Sequence, residues 1–202
     1  MSLQLLGSPA SPFVRKVRVL LRETGQLADV TEVAVSTTPV APDPRVTAAN
    51  PVGKIPALLR DDGPALHDSR VITRFLDARA GAGLYPKARL WDVLTLEATA
   101  DGIMESAVLL VYEGRFRAPE AQSQPWIEGQ WARITRSLTT INEVWMPLLA
   151  GPLHMGQIST ACALGYLDFR QPTHDWRSAH PALATWFAGF SERQSMKDTA
   201  PV

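Results

Sequence analysis

The sequence predicts an α/β fold joined to an all-α fold: a mixed four-stranded sheet with packed helices comes first, and helices alone follow. Short apolar runs that alternate or are rich in β-branched residues occur only before residue 80. A stretch rich in Gly and Pro, residues 80–87, then separates them from long runs with apolar residues three and four positions apart. We therefore predict one domain over residues 1–79, a linker over 80–87 and a helical domain over 88–202.

The predicted strands are short apolar runs bounded by turn residues. They cover residues 3–6, 30–35, 57–60 and 65–67. The first is too short for a helix, and the second alternates and is rich in valine. Asp61-Asp62-Gly63 lies between the last two runs, and Asp-Gly between apolar runs predicts a hairpin.

The predicted helices carry apolar residues on one face, and several begin with a capping residue followed by Pro. They cover approximately residues 12–24, 69–79, 89–116, 127–148, 158–169 and 181–192. Ser11-Pro12 is a capping pair for the first of them. His154 and Gln157 form a weak capping box before the helix at 158, so we expect that start to be loosely held. The tail, residues 195–202, lacks periodicity, and we expect it to be loose.

Composition and charge exclude several classes of function. The 202 residues contain 20 basic and 20 acidic side chains, which argues against a general affinity for nucleic acid or for an anionic membrane. The single cysteine, Cys162, cannot form an internal disulfide, and the chain shows neither a secretion signal nor a long apolar span, so we predict a cytoplasmic protein. The four histidines lack metal-ligand spacing, and we predict no metal.

The stretch Asn50-Pro-Val-Gly-Lys-Ile-Pro-Ala-Leu58 leads into the third strand. Pro56 cannot donate to a β-ladder and so belongs at the entry of a strand. An X-Pro bond in a tight turn tolerates the cis form, and a cis bond at Ile55–Pro56 would turn the N–H and C=O of Ile55 outward. This free backbone pair would bind an extended peptide.

Shortly after it, Ser69 is predicted as the N-cap of the helix that starts there. Exposed N–H groups at a helix N-terminus favour an anion such as a carboxylate. The free backbone pair at Ile55 and the helix N-terminus at Ser69 together predict a small acidic peptide as ligand.

The motif Asn-Pro-x-Gly-x-Ile-Pro-x-Leu, followed by Asp-Ser at the head of a helix, resembles the glutathione S-transferase family, in its bacterial, serine-type form. The resemblance covers the whole chain. It implies a thioredoxin-like N-terminal domain, an all-helical C-terminal domain and a cytoplasmic homodimer that acts in detoxification. It also implies glutathione as co-substrate and a small hydrophobic electrophile as the second substrate.

The resemblance implies that Ser11 is the catalytic residue, whose hydroxyl donates a hydrogen bond to the glutathione sulfur. A thiolate at a helix N-terminus is stabilised and its pKa falls. The plainer interpretation is that Ser11 is only a cap, and Ser8 is the rival hydroxyl. Phe13 either turns its N–H and ring toward the thiol or is simply a packing aromatic.

The remaining implied contacts hold the peptide part of glutathione. Lys54 would reach the glycine carboxylate, and Ile55 and Pro56 would pair with the backbone. Two further residues would hold the γ-glutamyl group, Asp68 at its ammonium and Ser69 at its carboxylate. Asp101 would reach that ammonium in the neighbouring subunit. A solvated lysine, a capping serine and a solvated helix carboxylate are the plainer alternatives.

The predicted activity is conjugation or reduction of hydrophobic electrophiles, with peroxide or disulfide reduction as a side activity. The alternative is a glutathione-binding or regulatory protein with little turnover. Met104, Val108 and Tyr112 recur every four residues and either line the electrophile pocket or only pack their helix. The first predicted helix is basic, with Arg15, Lys16, Arg18 and Arg22. The plainer interpretation is a solvated face, and the alternative is that these residues steer anionic ligands toward the site.

Overall fold

The computed structural model describes residues 3–202. The strands are β1 (Leu3–Gly7), β2 (Val30–Ala34), β3 (Ala57–Arg60) and β4 (Gly63–Leu66). The helices are α1 (Pro12–Glu23), α2 (Pro44–Ala49), α3 (Ser69–Ala80), α4 (Leu90–Phe116), α5 (Gln124–Thr140), α6 (Met146–Leu149), α7 (Met155–Arg170), α8 (Pro181–Ser191) and α9 (Gln194–Lys197). The described residues form two compact units: one runs up to Tyr85 and includes Gln194–Val202, and the other is Pro86–Arg193.

The first unit contains a mixed four-stranded sheet in the order β2-β1-β3-β4. β1 runs parallel to β2, with Leu3 opposite Val30. β1 runs antiparallel to β3, with Leu6 opposite Ala57, and β3 and β4 form the predicted antiparallel hairpin. The predicted thioredoxin-like sheet domain is therefore confirmed.

The direction of the strands brings three segments to one edge of this sheet. Since β1 is antiparallel to β3 and β3 to β4, the end of β1, the start of β3 and the end of β4 lie side by side. α1 follows β1 and α3 follows β4, so both helices begin at this edge. The cis-proline segment enters β3 at the same place.

Both faces of the sheet are covered. Leu5 and Leu6 are neighbours in β1 and point to opposite faces, yet both are buried. On one face Leu6 packs with Val46 of α2 and with Ala57. α1 and α3 also pack against each other, and the buried residues Leu20 and Ile72 belong to them. This double cover holds the loops at the sheet edge on a rigid base.

The second unit consists of helices α4–α8 among its described regular elements, as the sequence predicts. α4 packs along α5 and α7, and α7 is buried continuously from Met155 to Leu164. α5 continues through a π-helical turn, Ile141–Trp145, into α6. Within residues 3–202, no helix is both long and apolar enough to cross a membrane.

The expectation of a loose tail is wrong. Residues 194–202 belong to the first unit, where Met196 is 2% exposed and Thr199 is fully buried. The Arg15 guanidinium donates to the carbonyl of Met196 at 3.0 Å and to Thr199 Oγ1 at 3.4 Å. The Ser195 hydroxyl donates to the carboxylate of Glu23.

The prediction of domains at 1–79 and 88–202 concerns folding units and stays a prediction.

The basic residues of α1 are not a solvated face, which corrects a second expectation. Arg15 is 6% exposed and is engaged by the tail. Arg18 pairs with Glu32 of the neighbouring strand at 2.8 Å. Helical spacing predicts that side chains share a face, but it cannot tell whether another part of the chain covers that face.

The start of α7 is also more firmly held than predicted. His154 and Gln157 form a complete capping box, in which the Gln157 N–H donates to His154 Nδ1 and the His154 N–H donates to Gln157 Oε1. Gln157 Nε2 donates to the carbonyl of Leu149 at 2.8 Å. The histidine ring therefore replaces the usual hydroxyl or carboxylate cap.

Candidate glutathione site

Ser11 is the N-cap of α1 and has an extended backbone. Its Oγ accepts a hydrogen bond from the N–H of Val14 at 3.4 Å, and its own N–H donates to the Ser8 carbonyl at 3.0 Å. A capping hydroxyl uses a lone pair, so its proton is still available for a second partner. The cap and a donor role toward sulfur are thus compatible. Phe13 follows in the first turn and is half-buried.

Gly7 explains how closely α1 begins beside the end of β1. A Cβ atom at this position would lie 2.6 Å from Val14 Cγ1 and 2.9 Å from Val14 Cγ2. A side chain there would force Val14, or the helix that carries it, to shift. The turn between the strand and the helix is therefore tight, and Ser11 is held at the sheet edge.

Asn50 organises the loop before β3, a role that the sequence analysis missed. Its side chain is buried, donates from Nδ2 to the Lys54 carbonyl at 2.8 Å and accepts the Val52 N–H at 3.0 Å. Its carbonyl accepts the N–H of Gly53, whose φ of +71° suits glycine. The Asn-Pro pair at 50–51 is a turn signal that points to such a role.

The peptide bond between Ile55 and Pro56 is cis, as predicted. Within residues 3–202, no backbone hydrogen bond joins the N–H or C=O of Ile55 to another residue. Pro56 is buried, whereas Lys54 is exposed and has no ion-pair partner in that part of the chain. The predicted backbone pair and one cation are thus unused by the fold.

The N-cap of α3 is Asp68, not Ser69 as predicted. Its carboxylate accepts the Arg70 N–H at 3.0 Å and pairs with the Arg70 guanidinium at 3.2 Å. Burial works to raise the pKa of Asp68, but the charge and hydrogen bonds of Arg70 outweigh it and lower that pKa below its ordinary value. Asp68 is therefore a carboxylate at neutral pH.

Ser69 is the first residue of α3 and is 3% exposed. Its carbonyl accepts the Thr73 hydroxyl at 2.9 Å. Neither its N–H nor its hydroxyl makes a hydrogen bond within the described residues 3–202. Because Asp68 takes over the capping, Ser69 keeps two donors at a helix N-terminus, where they suit a carboxylate.

The sheet topology therefore brings together six of the predicted site residues. These are Ser11, Phe13, Lys54, Ile55, Pro56 and Ser69, and Asp68 lies beside the last of them. Asp101 is 7% exposed and belongs to α4 of the second unit. The roles assigned to these residues, and the prediction that no metal is bound, stay predictions.

Comparison with known proteins identifies the family. Residues 5–83 match the family described as glutathione S-transferase, N-terminal domain, and residues 124–189 match glutathione S-transferase, C-terminal domain. The GST-like protein YibF of Escherichia coli K12 is 31% identical over 204 residues, which span 98% of each chain.

Solved structures agree with this match. A glutathione transferase family member from Pseudomonas fluorescens Pf-5, crystallised with bound glutathione, is 48% identical with a TM-score of 0.97 over 100% of both chains. A glutathione S-transferase from Methylobacillus flagellatus KT with glutathione bound is 37% identical with a TM-score of 0.87, again over 100% of both chains. Matches to both halves of the sequence and to whole structures leave one assignment, and the chain belongs to the glutathione S-transferase family.

Proposed function

We propose that this protein is a glutathione transferase that binds glutathione at the sheet edge and uses its thiolate to attack a hydrophobic electrophile. The observation that carries the proposal is the set of donors and acceptors that the fold leaves unused there. The unused N–H and C=O of Ile55 lie just before β3, and the two unused donors of Ser69 lie at the start of α3, which follows β4. Because β3 and β4 are paired, both sets of groups lie at one edge of the sheet. Glutathione bound to similar chains supports the same ligand here.

The charged groups of glutathione and its cysteinyl backbone then have counterparts. The γ-glutamyl carboxylate binds the N–H and hydroxyl of Ser69, and the γ-glutamyl ammonium lies at Asp68. The cysteinyl N–H and C=O pair with the backbone of Ile55, in the manner of an added strand. Lys54 binds the glycine carboxylate as a point charge.

The sulfur lies at the N-terminus of α1, where the Ser11 hydroxyl donates to it. A free thiol has a pKa of about 8.5, so most of it is protonated at neutral pH. Each unit by which the pKa falls increases the thiolate about tenfold until ionisation is complete. Phe13 adds its N–H or its ring to this site. Ser11 acts as a donor to the thiolate and not as a base.

The reaction we propose is conjugation, with peroxide or disulfide reduction as a side activity. The Pseudomonas fluorescens relative was also crystallised with S-(propanoic acid)-glutathione, a glutathione carrying a substituent on sulfur. Such a ligand supports a site that accommodates conjugates. Val108 and Tyr112 are half-buried and available to line the acceptor pocket, whereas Met104 is fully buried and packs the interior.

The homodimer is part of the proposal. α4 exposes Trp91 and Leu109, which are 78% and 36% accessible, on the face that also carries Ala98 and Gly102. Small residues between large apolar ones suit a second copy of the helix. In this dimer Asp101 would add its carboxylate to the partner's γ-glutamyl ammonium. Analytical ultracentrifugation of the wild type and of Trp91→Glu tests the interface: the wild type should be a dimer and the variant a monomer. A monomeric wild type would contradict the proposed homodimer.

The alternative is a glutathione-binding protein with little turnover, and one observation favours it. The Ser11 hydroxyl already caps α1, so its presence does not require catalysis. Retention on glutathione-agarose, followed by conjugation assays with several electrophiles and peroxides, separates the two. Binding without turnover in every assay supports the alternative.

The role of Ser11 is tested by Ser11→Ala with Ser8→Ala as the matched control. Titrating the ultraviolet absorbance of the bound thiolate should show a pKa about one unit higher in Ser11→Ala, with a conjugation rate about tenfold lower at neutral pH. Ser8→Ala should leave both unchanged. Equal behaviour of the two variants would make Ser11 a cap only.

A further inference from the structure

Asn50 connects the end of α2 to the loop that carries the Ile55 backbone pair. Its own N–H donates to the carbonyl of Val46 at 2.7 Å, and Val46 is fully buried in the core cluster on one face of the sheet. The Asn50 side chain belongs to a residue that is only 3% exposed. Because Asn50 is buried and its backbone is bonded to a core residue, its position is fixed relative to the sheet.

The two halves of the Asn50 amide bind different backbone groups of the loop. Nδ2 donates to the Lys54 carbonyl at 2.8 Å, and Oδ1 accepts the Val52 N–H at 3.0 Å. Exchanging the nitrogen and the oxygen would place donor against donor and acceptor against acceptor, so these two partners determine which way the amide faces. An ionised aspartate of the same shape would keep the bond to Val52 but could not donate to Lys54.

The carbonyl of Lys54 and the N–H of Ile55 belong to one peptide unit. The bond between them is trans, and a planar trans unit points its C=O and its N–H in opposite directions. Because Asn50 binds the C=O, the N–H of Ile55 points away from Asn50. This N–H makes no hydrogen bond with the part of the chain that the structure describes, residues 3–202. It is therefore available to a ligand.

The side chain of Ile55 holds the same segment from its other end. It is half-buried and packs against the core cluster that contains Leu6, Val46 and Ala57. With this side chain packed inward, the main freedom left to the segment is rotation of the peptide unit between Lys54 and Ile55. The bond from Asn50 opposes that rotation and so fixes the direction of the Ile55 N–H.

We propose that Asn50 is a positioning residue for glutathione: by holding the Lys54 carbonyl, it orients the Ile55 N–H toward the cysteinyl carbonyl of the ligand. Asn50 does not contact the ligand itself. This inference rests on the proposed function, because it takes glutathione to lie along Ile55. It predicts that Asn50 contributes to the affinity for glutathione and not to the ionisation of its thiol, which lies at the N-terminus of α1.

The first experiment measures glutathione affinity by calorimetry on the full-length wild type, Asn50→Asp, Asn50→Ala and Gln26→Ala, each checked for folding by its urea midpoint. Gln26 is the matched control: it is buried in the same unit, and its side-chain amide donates to the Leu76 carbonyl at 3.0 Å. It lies beyond the end of α1, at the end remote from Ser11.

Both Asn50 variants should bind glutathione about tenfold more weakly than the wild type, as expected for one lost or misdirected hydrogen bond, and Gln26→Ala should bind it as the wild type does. Asn50→Asp loses the donor to Lys54 and gains a charge, whereas Asn50→Ala loses the donor without a charge, so a shared loss is not an effect of charge. Unchanged affinity in both Asn50 variants overturns the proposal.

Shortened ligands identify the group through which Asn50 acts. γ-Glutamylcysteine lacks the glycine but keeps an acceptor at the cysteinyl carbonyl, whereas γ-glutamylcysteamine lacks both. The affinity ratio of wild type to Asn50→Ala should be about ten for glutathione and for γ-glutamylcysteine, and about one for γ-glutamylcysteamine. A ratio that already disappears with γ-glutamylcysteine means that Asn50 acts through the glycine end. A ratio of ten for all three ligands means that the whole site is loosened. Either result overturns the proposal.

Kinetics give a second measurement. Asn50→Ala should raise KM for glutathione about tenfold with little change in kcat, and the pKa of the bound thiol should stay that of the wild type. A parallel fall in kcat or a shifted thiol pKa overturns the proposal. If neither Asn50 variant folds, hydrogen exchange of the wild type decides: glutathione and γ-glutamylcysteine should slow exchange of the Ile55 amide, and γ-glutamylcysteamine should not. Exchange that glutathione leaves unchanged overturns the proposal.

The outcomes separate this inference from the proposed function. A wild type that does not bind glutathione overturns both. A wild type that binds glutathione, with no loss in either Asn50 variant, overturns the role of Asn50 and leaves the proposed function intact.

Discussion

Arg15 holds the C-terminal tail on α1, so replacing it should destabilise the first unit. Its guanidinium donates to the Met196 carbonyl at 3.0 Å and to Thr199 Oγ1 at 3.4 Å, and all three residues are buried. Arg15→Met keeps most of the apolar stem and removes both donors. The Met196 carbonyl then loses this charged donor in a buried position.

The cost can be estimated from these contacts. A hydrogen bond from a charged donor contributes about 1.5–3 kcal/mol, and the 3.4 Å contact is long and adds less. Thr199 keeps its bond to the Ser195 carbonyl at 2.7 Å, so its hydroxyl is not left without a partner. We expect a loss of about 2–4 kcal/mol, which for a chain of this length lowers Tm by about 4–16 °C.

Urea unfolding measures this loss through the midpoint at constant slope, with a thermal scan alongside. Arg18→Met is the matched control, since Arg18 is on the same helix but makes a partly exposed pair with Glu32. That pair should contribute at most about 1 kcal/mol. Limited proteolysis adds a local measurement, because a released tail should be cleaved near residues 194–202 sooner in Arg15→Met.

Arg15 does not hold the tail if Arg15→Met loses no more stability than Arg18→Met and its tail resists the protease as the wild type does. The tail would then be held by its apolar residues alone. Thr199→Val gives a second test, since it removes the long contact with Arg15 and the bond to the Ser195 carbonyl but leaves the charged bond from Arg15 to Met196. It should cost less than Arg15→Met.

Three further predictions follow from single residues. Ser69→Ala should weaken glutathione binding about 10- to 150-fold by calorimetry, as expected for one lost bond to a charged group; unchanged affinity would move the carboxylate elsewhere. Gly7→Ala should lower the urea midpoint, because its Cβ would overlap Val14, whereas Gly129→Ala, with open space around it, should not. Burial lowers the pKa of His154 below its ordinary 6.5, so the unfolded chain takes up the proton first; stability should hold above about pH 6.5 and fall below it. His154→Asn should flatten the dependence of Tm on pH. If Tm of the variant falls with pH in parallel with that of the wild type, the His154 cap is not the cause of the pH dependence.

Much of the fold was predictable because it depends on neighbours in sequence. The alternation of strand residues and the spacing of helix residues placed the sheet and the long helices, and Asp61-Asp62 placed the hairpin. The cis bond before Pro56 followed from the motif around it. The positions of the candidate site's segments were predictable in the same way, because each of them begins an element, while the roles of their residues stay predictions.

Finer features of the site were decided by local competition that residue preferences do not resolve. Asp68 and Ser69 are both good caps, and the structure has Asp68 in that position. The capping box at His154, predicted to be weak, forms in full, and Gln157 is held in place because its side-chain N–H also donates to the carbonyls of Leu149 and Gly151. These contacts depend on where the preceding loop ends.

By itself, the sequence determined which segments become strands and helices and which motif opens each element at the sheet edge. Only the tertiary structure decided that the tail returns to α1 and that Arg15 is buried beneath it. The physical reason is distance along the chain. Periodicity reports contacts within a few residues, whereas the bond from Arg15 to Met196 joins positions 181 residues apart, whose meeting depends on the packing of everything between them.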